Sequence, residues 1–286
     1  SKTRTDRDGR IQGVQATISL LNVLLQMFYA VASLAYGIAF FRDDPFIRKL
    51  ARPLLVGVVS LHALYLTLRI ARFGHIPLAS LPEVLTSIAF AMAALYLCIE
   101  YLTRTHRTGI FLLTLSLACQ TISSAFITSD TTFPPLLRSP LFALHAGSAV
   151  LSYTAFGVSA IYGILFLMLY HHLKDGRFGL VYERLPSLDL LAMMSLRAAI
   201  MGFLLLTATI ALGALWAARE FPGFWLDPKF FMTCAIWCVY AAGLGMNYAF
   251  GWAGRRAIYF SLAGFVLIIV SVIAGRFWVT TFHGFA

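Results

Sequence analysis

The chain has 286 residues, of which 60% are hydrophobic and only 12% charged, and its mean hydropathy is +0.81. Soluble domains carry about 25% charged residues, so water is not this chain's main solvent and the lipid bilayer is its first partner. The net charge of +10 falls in the breaks between apolar runs without the basic and aromatic interleaving that nucleic acid requires, so no nucleic-acid partner is implied.

Because lipid offers backbone groups no partners, spanning segments must be helices or a closed barrel, and long unbroken apolar runs without strand alternation select helices. A span needs roughly 20 mostly apolar residues. The sequence predicts eight of them, over about 16–41, 52–71, 83–102, 109–127, 141–171, 197–217, 230–249 and 257–279, in one all-α membrane domain covering 1–286. The first run exceeds the roughly 7–15 residues of a signal-peptide core, and no small-residue cleavage pattern follows it, so it reads as a true span. The breaks carry turn chemistry: Arg42-Asp43-Asp44-Pro45, Gly74-His75-Ile76-Pro77, Phe133-Pro134-Pro135, Lys174-Asp175-Gly176-Arg177, Phe221-Pro222-Gly223 and Gly251 to Arg256. In the one long connection, Ser187 ahead of Leu188, Leu191 and Met194 predicts a capped surface helix over about 187–196. Cys98, Cys119, Cys234 and Cys238 all lie inside apolar runs and read as small, buried, inert thiols.

Eight spans fix every loop by parity. One side holds Arg69, Arg72, Arg138, Arg219, Lys229 and Arg276. The other holds Arg42, Arg48, Lys49, Arg52, Arg104, Arg107, Lys174, Arg177, Arg184, Arg197, Arg255 and Arg256, a two-fold excess that marks it as cytoplasmic. Both termini then lie outside, although Lys2, Arg4, Arg7 and Arg10 in the N-terminal tail argue the other way.

The same parity gathers unusual residues on the outer face: His75 after the second span, His145 at the start of the fifth, His283 after the eighth, and the segment from Leu215 to Lys229. His145, Ser148, Ser152, Ala155 and Ser159 recur at spacings of three and four, a small-residue stripe that packs against another helix and turns His145 into the bundle. His62 sits near the middle of the second span, where a neutral ring needs a hydrogen-bond partner or a metal. His106, His171 and His172 read as interfacial residues. Composition alone favours an interfacial belt for Trp216, Phe221, Phe224, Trp225, Phe277 and Trp278. Two histidines on separate helices beside aromatic rings and arginines are also what a bound haem requires, so a haem site stands beside the belt as the sharper alternative.

The stretch from Leu141 to Ala286 resembles the cytochrome c assembly family of haem-handling membrane proteins, the CcsA, ResC and HemX group. The resemblance rests on Leu144-His145-Ala146 with Leu151-Ser152-Tyr153, Arg184-Leu185-Pro186-Ser187-Leu188, Gly213-Ala214-Leu215-Trp216-Ala217, Asp227-Pro228-Lys229, and Gly251-Trp252-Ala253-Gly254-Arg255-Arg256. Upstream, Arg72-Phe73-Gly74-His75-Ile76-Pro77-Leu78 with Glu83 is similar more weakly. The resemblance implies a multi-pass protein of the bacterial cytoplasmic (inner) membrane that holds a b-type haem at its outer, periplasmic face for delivery to apocytochrome c, together with a second membrane assembly protein. It implies His145 and His283 as haem-iron ligands and residues 216–229 as the haem-binding segment, with Trp216, Phe221, Phe224, Trp225 and Asp227 in it. His62 and His75 complete the set of candidate haem-contacting residues. No catalytic group is implied, since no nucleophile or acid and base pair is present for covalent chemistry; Asp227 reads as a cap for the helix beginning at Pro228. The family segment is richer in tryptophan, whereas here Leu226 precedes Asp227 and Phe230 follows Lys229. That departure keeps two alternatives open: a membrane electron-transfer anchor with haem b inside the bundle, and a HemX-like regulatory or structural subunit that has lost haem.

Overall fold

The turn chemistry between apolar runs sets the helix ends. In the computed structural model, which describes residues 2–128, 139–176, 178–220 and 223–277 without the side chains of 2–12, 220, 224 and 275–277, α1 runs Lys2–Arg42 and stops where Asp43 takes a left-handed φ of 54°. Asp44 then caps α2 (Pro45–Phe73), accepting from Phe46 N at 2.9 Å and Ile47 N at 3.0 Å, with Pro45 in the first turn. That cap starts the helix several residues ahead of the apolar run. Gly74, at φ 70°, closes α2 through a bond from its N–H to Ile70 O. Ser80 caps α3 (Leu81–Thr103), and α4 spans Gly109–Phe126. Beyond them lie α5 (Pro140–Lys174), α6 (Leu180–Arg184), α7 (Leu188–Glu220), a 3-10 turn at Phe224–Leu226, α8 (Pro228–Phe250) and α9 (Arg255–Phe277).

Eight of these helices are long and apolar enough to cross a membrane, and no strand forms among the described residues. The chain is a multi-pass helical membrane protein. Its residues group into two compact units, 1–138 and 139–286.

In the first unit, α1 packs on α2 and α4, and α3 packs on α2 and α4, which closes a four-helix ring. Its interior combines Leu25, Tyr29, Ala32 and Tyr36 of α1 with Leu55, Val58, His62 and Tyr65 of α2, which follow one another at alternating spacings of three and four along one buried face of each helix. In the second unit, α5 packs on α7 and α9, and α8 packs on both α7 and α9. The small-residue stripe of α5 lies on α7: Ser152 Oγ donates to Gly202 O at 2.8 Å and Ser159 Oγ to Ser195 O at 2.7 Å. Gly202 permits this approach, because a Cβ there would stand 2.6 Å from the Phe156 ring. Phe156 in turn stacks on Tyr240 of α8 with centroids 3.7 Å apart.

Two expectations are corrected. The separate surface helix over 187–196 is instead the first three turns of α7, which runs on without a break. No Gly or Pro interrupts that stretch until Gly202, and Ser195 draws it onto α5, while Ser187 still acts as the cap by accepting from Leu190 N at 3.4 Å. The cysteines are free thiols but not buried: Cys98 and Cys238 are exposed, Cys119 and Cys234 half-buried. In a bilayer the outer helix faces meet acyl chains rather than water, so burial gives a thiol no advantage there.

Candidate functional site

α5 and α7 build the site around His145. The ring lies in the second turn of α5, and its Nδ1 is 3.0 Å from the Thr209 carbonyl of α7. A carbonyl only accepts, so Nδ1 carries the proton and the imidazole adopts the tautomer whose lone pair sits on Nε2, the nitrogen by which it would bind a metal. Thr209, Gly213 and Trp216 follow one another at spacings of four and three on the α7 face that meets this ring. A Cβ at Gly213 would stand 2.6 Å from His145 Cε1 and 2.8 Å from Nδ1, so only glycine lets the imidazole lie on the helix backbone. The Trp216 indole, 3% exposed, stacks on the imidazole at 6.2 Å with planes 16° apart, and Phe142 packs on the indole at 5.4 Å. Below, Thr209 Oγ1 donates to Ser148 Oγ, which donates to the His145 carbonyl, tying both helices beneath the ring.

The segment after α7 is fixed at its far end. Asp227 is buried and its Oδ1 accepts from Lys229 N at 2.7 Å, the N-cap of α8 ahead of Pro228. Asp227 therefore orients the loop, as its sequence context suggests. Trp225 stands 58% exposed on the 3-10 turn, as an interfacial aromatic does, whereas Trp216 is withdrawn from lipid beneath His145. The belt reading thus fits Trp225 and fails for Trp216. The backbone of Phe224 belongs to the same turn; its side chain, the whole of Phe221 and His283, the side chain of Phe277, and Trp278 lie outside the described residues.

The other two histidines belong to the first unit. His62 is fully buried between Tyr29, whose hydroxyl is 2.9 Å from Nδ1, and Thr86, whose hydroxyl is 3.0 Å from Nε2. Thr86 donates on to Gln120 Oε1 at 2.7 Å, and Gln120 Nε2 to Asn22 Oδ1 at 3.2 Å. Both ring nitrogens are thus engaged by the protein, and the rings packed on His62 are Tyr29, Tyr65 and Phe90. His75 is buried beside Glu83, with Nε2 3.4 Å from Oε2, while Arg69 Nη2 bonds the other carboxylate oxygen at 2.9 Å. A second carboxylate, Glu100, takes Arg52 Nε at 2.9 Å and the Tyr36 hydroxyl.

Of the sequence-predicted residues, the structure therefore brings His145 and Trp216 together, and assigns His62 and His75 to internal hydrogen-bond networks. Sequence reasoning missed Phe142, Thr209 and Gly213, whose roles depend on the register of α7 against α5. It also left aside Glu100, an acidic residue inside an apolar run that could itself have signalled a buried partner. Among the described residues no three His, Cys, Asp or Glu side chains come together to hold a metal.

Fold and site together define a multi-pass helical membrane protein with an oriented imidazole laid on an indole at one end of its second unit. The family model described as "Cytochrome C assembly protein" matches residues 47–283, and the chain belongs to that family. Among curated relatives it is 27% identical over 258 residues to Protein HemX of Brevibacillus brevis, covering 89% of this chain and 94% of that one. It is 27% identical over 299 residues to Cytochrome c biogenesis protein CcsA of Prochlorococcus marinus (strain MIT 9312), covering 94% of each. To Protein HemX of Bacillus subtilis (strain 168) it is 25% identical over 261 residues, covering 90% and 95%.

Proposed function

We propose that this chain takes part in cytochrome c maturation by holding haem at the outer face of a bacterial cytoplasmic membrane and presenting it to apocytochrome c. The observation that carries this reading is the His145 imidazole, fixed by the Thr209 carbonyl in the Nε2 lone-pair tautomer and laid against Trp216. A hydrogen bond from the other ring nitrogen to a carbonyl is the usual outer partner of a metal-ligating histidine, setting its tautomer and raising its basicity. The Trp216 indole and Phe142 supply the apolar packing that holds this imidazole in place. The residues around His145 thus fit a side chain that would ligate haem iron; His283 would be the second ligand in this reading, and Trp225, Phe221 and Phe224 would supply apolar surface around the haem.

When bound, a b-type haem supplies the iron that the imidazoles hold and the vinyl groups that thioether formation consumes. His145 would retain it, Trp216 and Phe142 would keep the imidazole in position, and Asp227 keeps the loop in place by capping α8. The chain acts as a holder rather than a turnover enzyme, with a second membrane assembly protein as its partner in the covalent step. The bundle-haem alternative draws no support from His62, since iron ligation there would break a hydrogen bond at one ring nitrogen. The regulatory or structural alternative holds only if the protein binds no haem.

Protein purified after expression with ample haem should show a Soret band, weakened in His145→Ala and in His283→Ala and retained in His171→Ala. A colourless wild-type protein would remove the reading.

A further inference from the structure

At the end of the second unit opposite His145, α7, α8 and α9 leave a cavity of about 240 Å³. Its wall is made of small and apolar side chains, among them Ala192 and Leu196 of α7, Gly243 and Leu244 of α8, and Ala257 and Phe260 of α9. Through Ala253 it adjoins a cleft of about 350 Å³ formed by the α8–α9 turn, which includes Arg255 and Arg256. The two compartments differ in chemistry: one is an apolar slot between helices, the other is shaped by a turn carrying two guanidinium groups.

Those cations are held in place. The Arg255 guanidinium lies over the Tyr170 ring at 4.6 Å and that of Arg256 over Trp252 at 5.3 Å. The turn that carries them is closed by Asn247 Nδ2 donating to Trp252 O at 2.6 Å. Among the described residues neither arginine has a carboxylate partner. Two fixed positive charges at a membrane boundary, above an apolar slot between spans, are complementary to one kind of molecule.

We propose that this cavity and cleft form a binding site for an anionic phospholipid, with an acyl chain in the α7–α8–α9 cavity and the phosphate on Arg255 and Arg256. A slot of this size takes a single acyl segment, and its small, apolar lining offers no histidine to a metal. A basic pocket between spans is a recognised seat for an anionic headgroup. The site is independent of His145 and stands whether or not haem is bound.

Native mass spectrometry of the full chain in detergent tests it, with phosphatidylglycerol, phosphatidylcholine of the same chains, and inorganic phosphate as probes. Each basic residue near an anionic headgroup is worth about fivefold, so phosphatidylglycerol should be retained roughly 30-fold over phosphatidylcholine. The double variant Arg255→Gln, Arg256→Gln should erase that preference. Ala257→Leu, which fills the slot, and Ala192→Leu, which fills it from α7, should lower retention of both lipids while thermal unfolding stays as in the wild type. Equal retention of the two lipids, a preference that survives the double variant, slot-filling without effect in both variants, or full displacement of lipid by inorganic phosphate would each overturn the proposal.

Discussion

Arg69→Ala is expected to destabilise the protein by about 3–5 kcal/mol, the cost of leaving a buried carboxylate without its cation. Arg69 and Glu83 are 4% and 2% exposed and bond at 2.9 Å, and Glu83 also accepts from Ala79 N at 3.0 Å and faces His75. The Arg69 guanidinium lies over Phe73 at 4.9 Å, so its loss removes packing as well as charge. Unfolding in mild detergent should show the full loss for the single variant. In the double variant Arg69→Met, Glu83→Gln most of it should return, because the charge is gone and Gln still offers an oxygen to Ala79 N. Equal destabilisation of Arg69→Met alone and of the double variant would mean that the ion pair is not the source of the effect.

The second large effect is expected at Gly213. A methyl group there would press on His145 at 2.6 Å, well inside contact distance, and push the imidazole off the Thr209 carbonyl and the Trp216 face. Loss of such an outer partner typically lowers metal affinity by about 10–100-fold. Gly213→Ala should therefore lower haem retention by that factor, read by haem titration of the purified protein, while far-ultraviolet circular dichroism keeps its helical signal. Gly147, with nothing within 4 Å of an added Cβ, provides the control: Gly147→Ala should bind as the wild type does. Equal affinity in Gly213→Ala and the wild type would show that the ring position does not govern binding.

Much of the fold is legible in the sequence because the bilayer enforces it. Apolar runs must become helices, and Asp44-Pro45, Gly74, Ser80 and Asp227-Pro228 carry the caps at their ends. The α5 stripe is legible for the same reason, since small residues at helical spacing have one use in lipid. What it meets is not. Ser152 finds Gly202 and His145 finds Thr209 only once α7 is set antiparallel in one register, and nothing local to Gly213 announces that an imidazole will lie on it. Trp216 shows the limit of composition: an indole near a span end is a belt residue by default, and only its burial against the His145 ring makes it a packing residue inside the unit. The pairs Arg69–Glu83 and Arg52–Glu100 follow from α2 lying antiparallel to α3, a relation between helices that no single run encodes.

His62 and His145 look alike as intramembrane histidines, yet their surroundings separate them. Around His62, Tyr29, Thr86, Gln120 and Asn22 form a chain of side-chain hydrogen bonds that satisfies the ring from both sides and specifies how the helices of the first unit meet. At His145 the Thr209 backbone carbonyl sets the tautomer and the Trp216 indole lies beside the ring.

The most direct measurement is the absorption spectrum of His145→Gly, purified with haem supplied, before and after adding free imidazole. The Soret band should be weak without imidazole and return towards the wild-type position and height when imidazole enters the space the side chain has left. A His145→Gly protein with the wild-type spectrum before imidazole is added would contradict the assignment of His145 as the haem ligand.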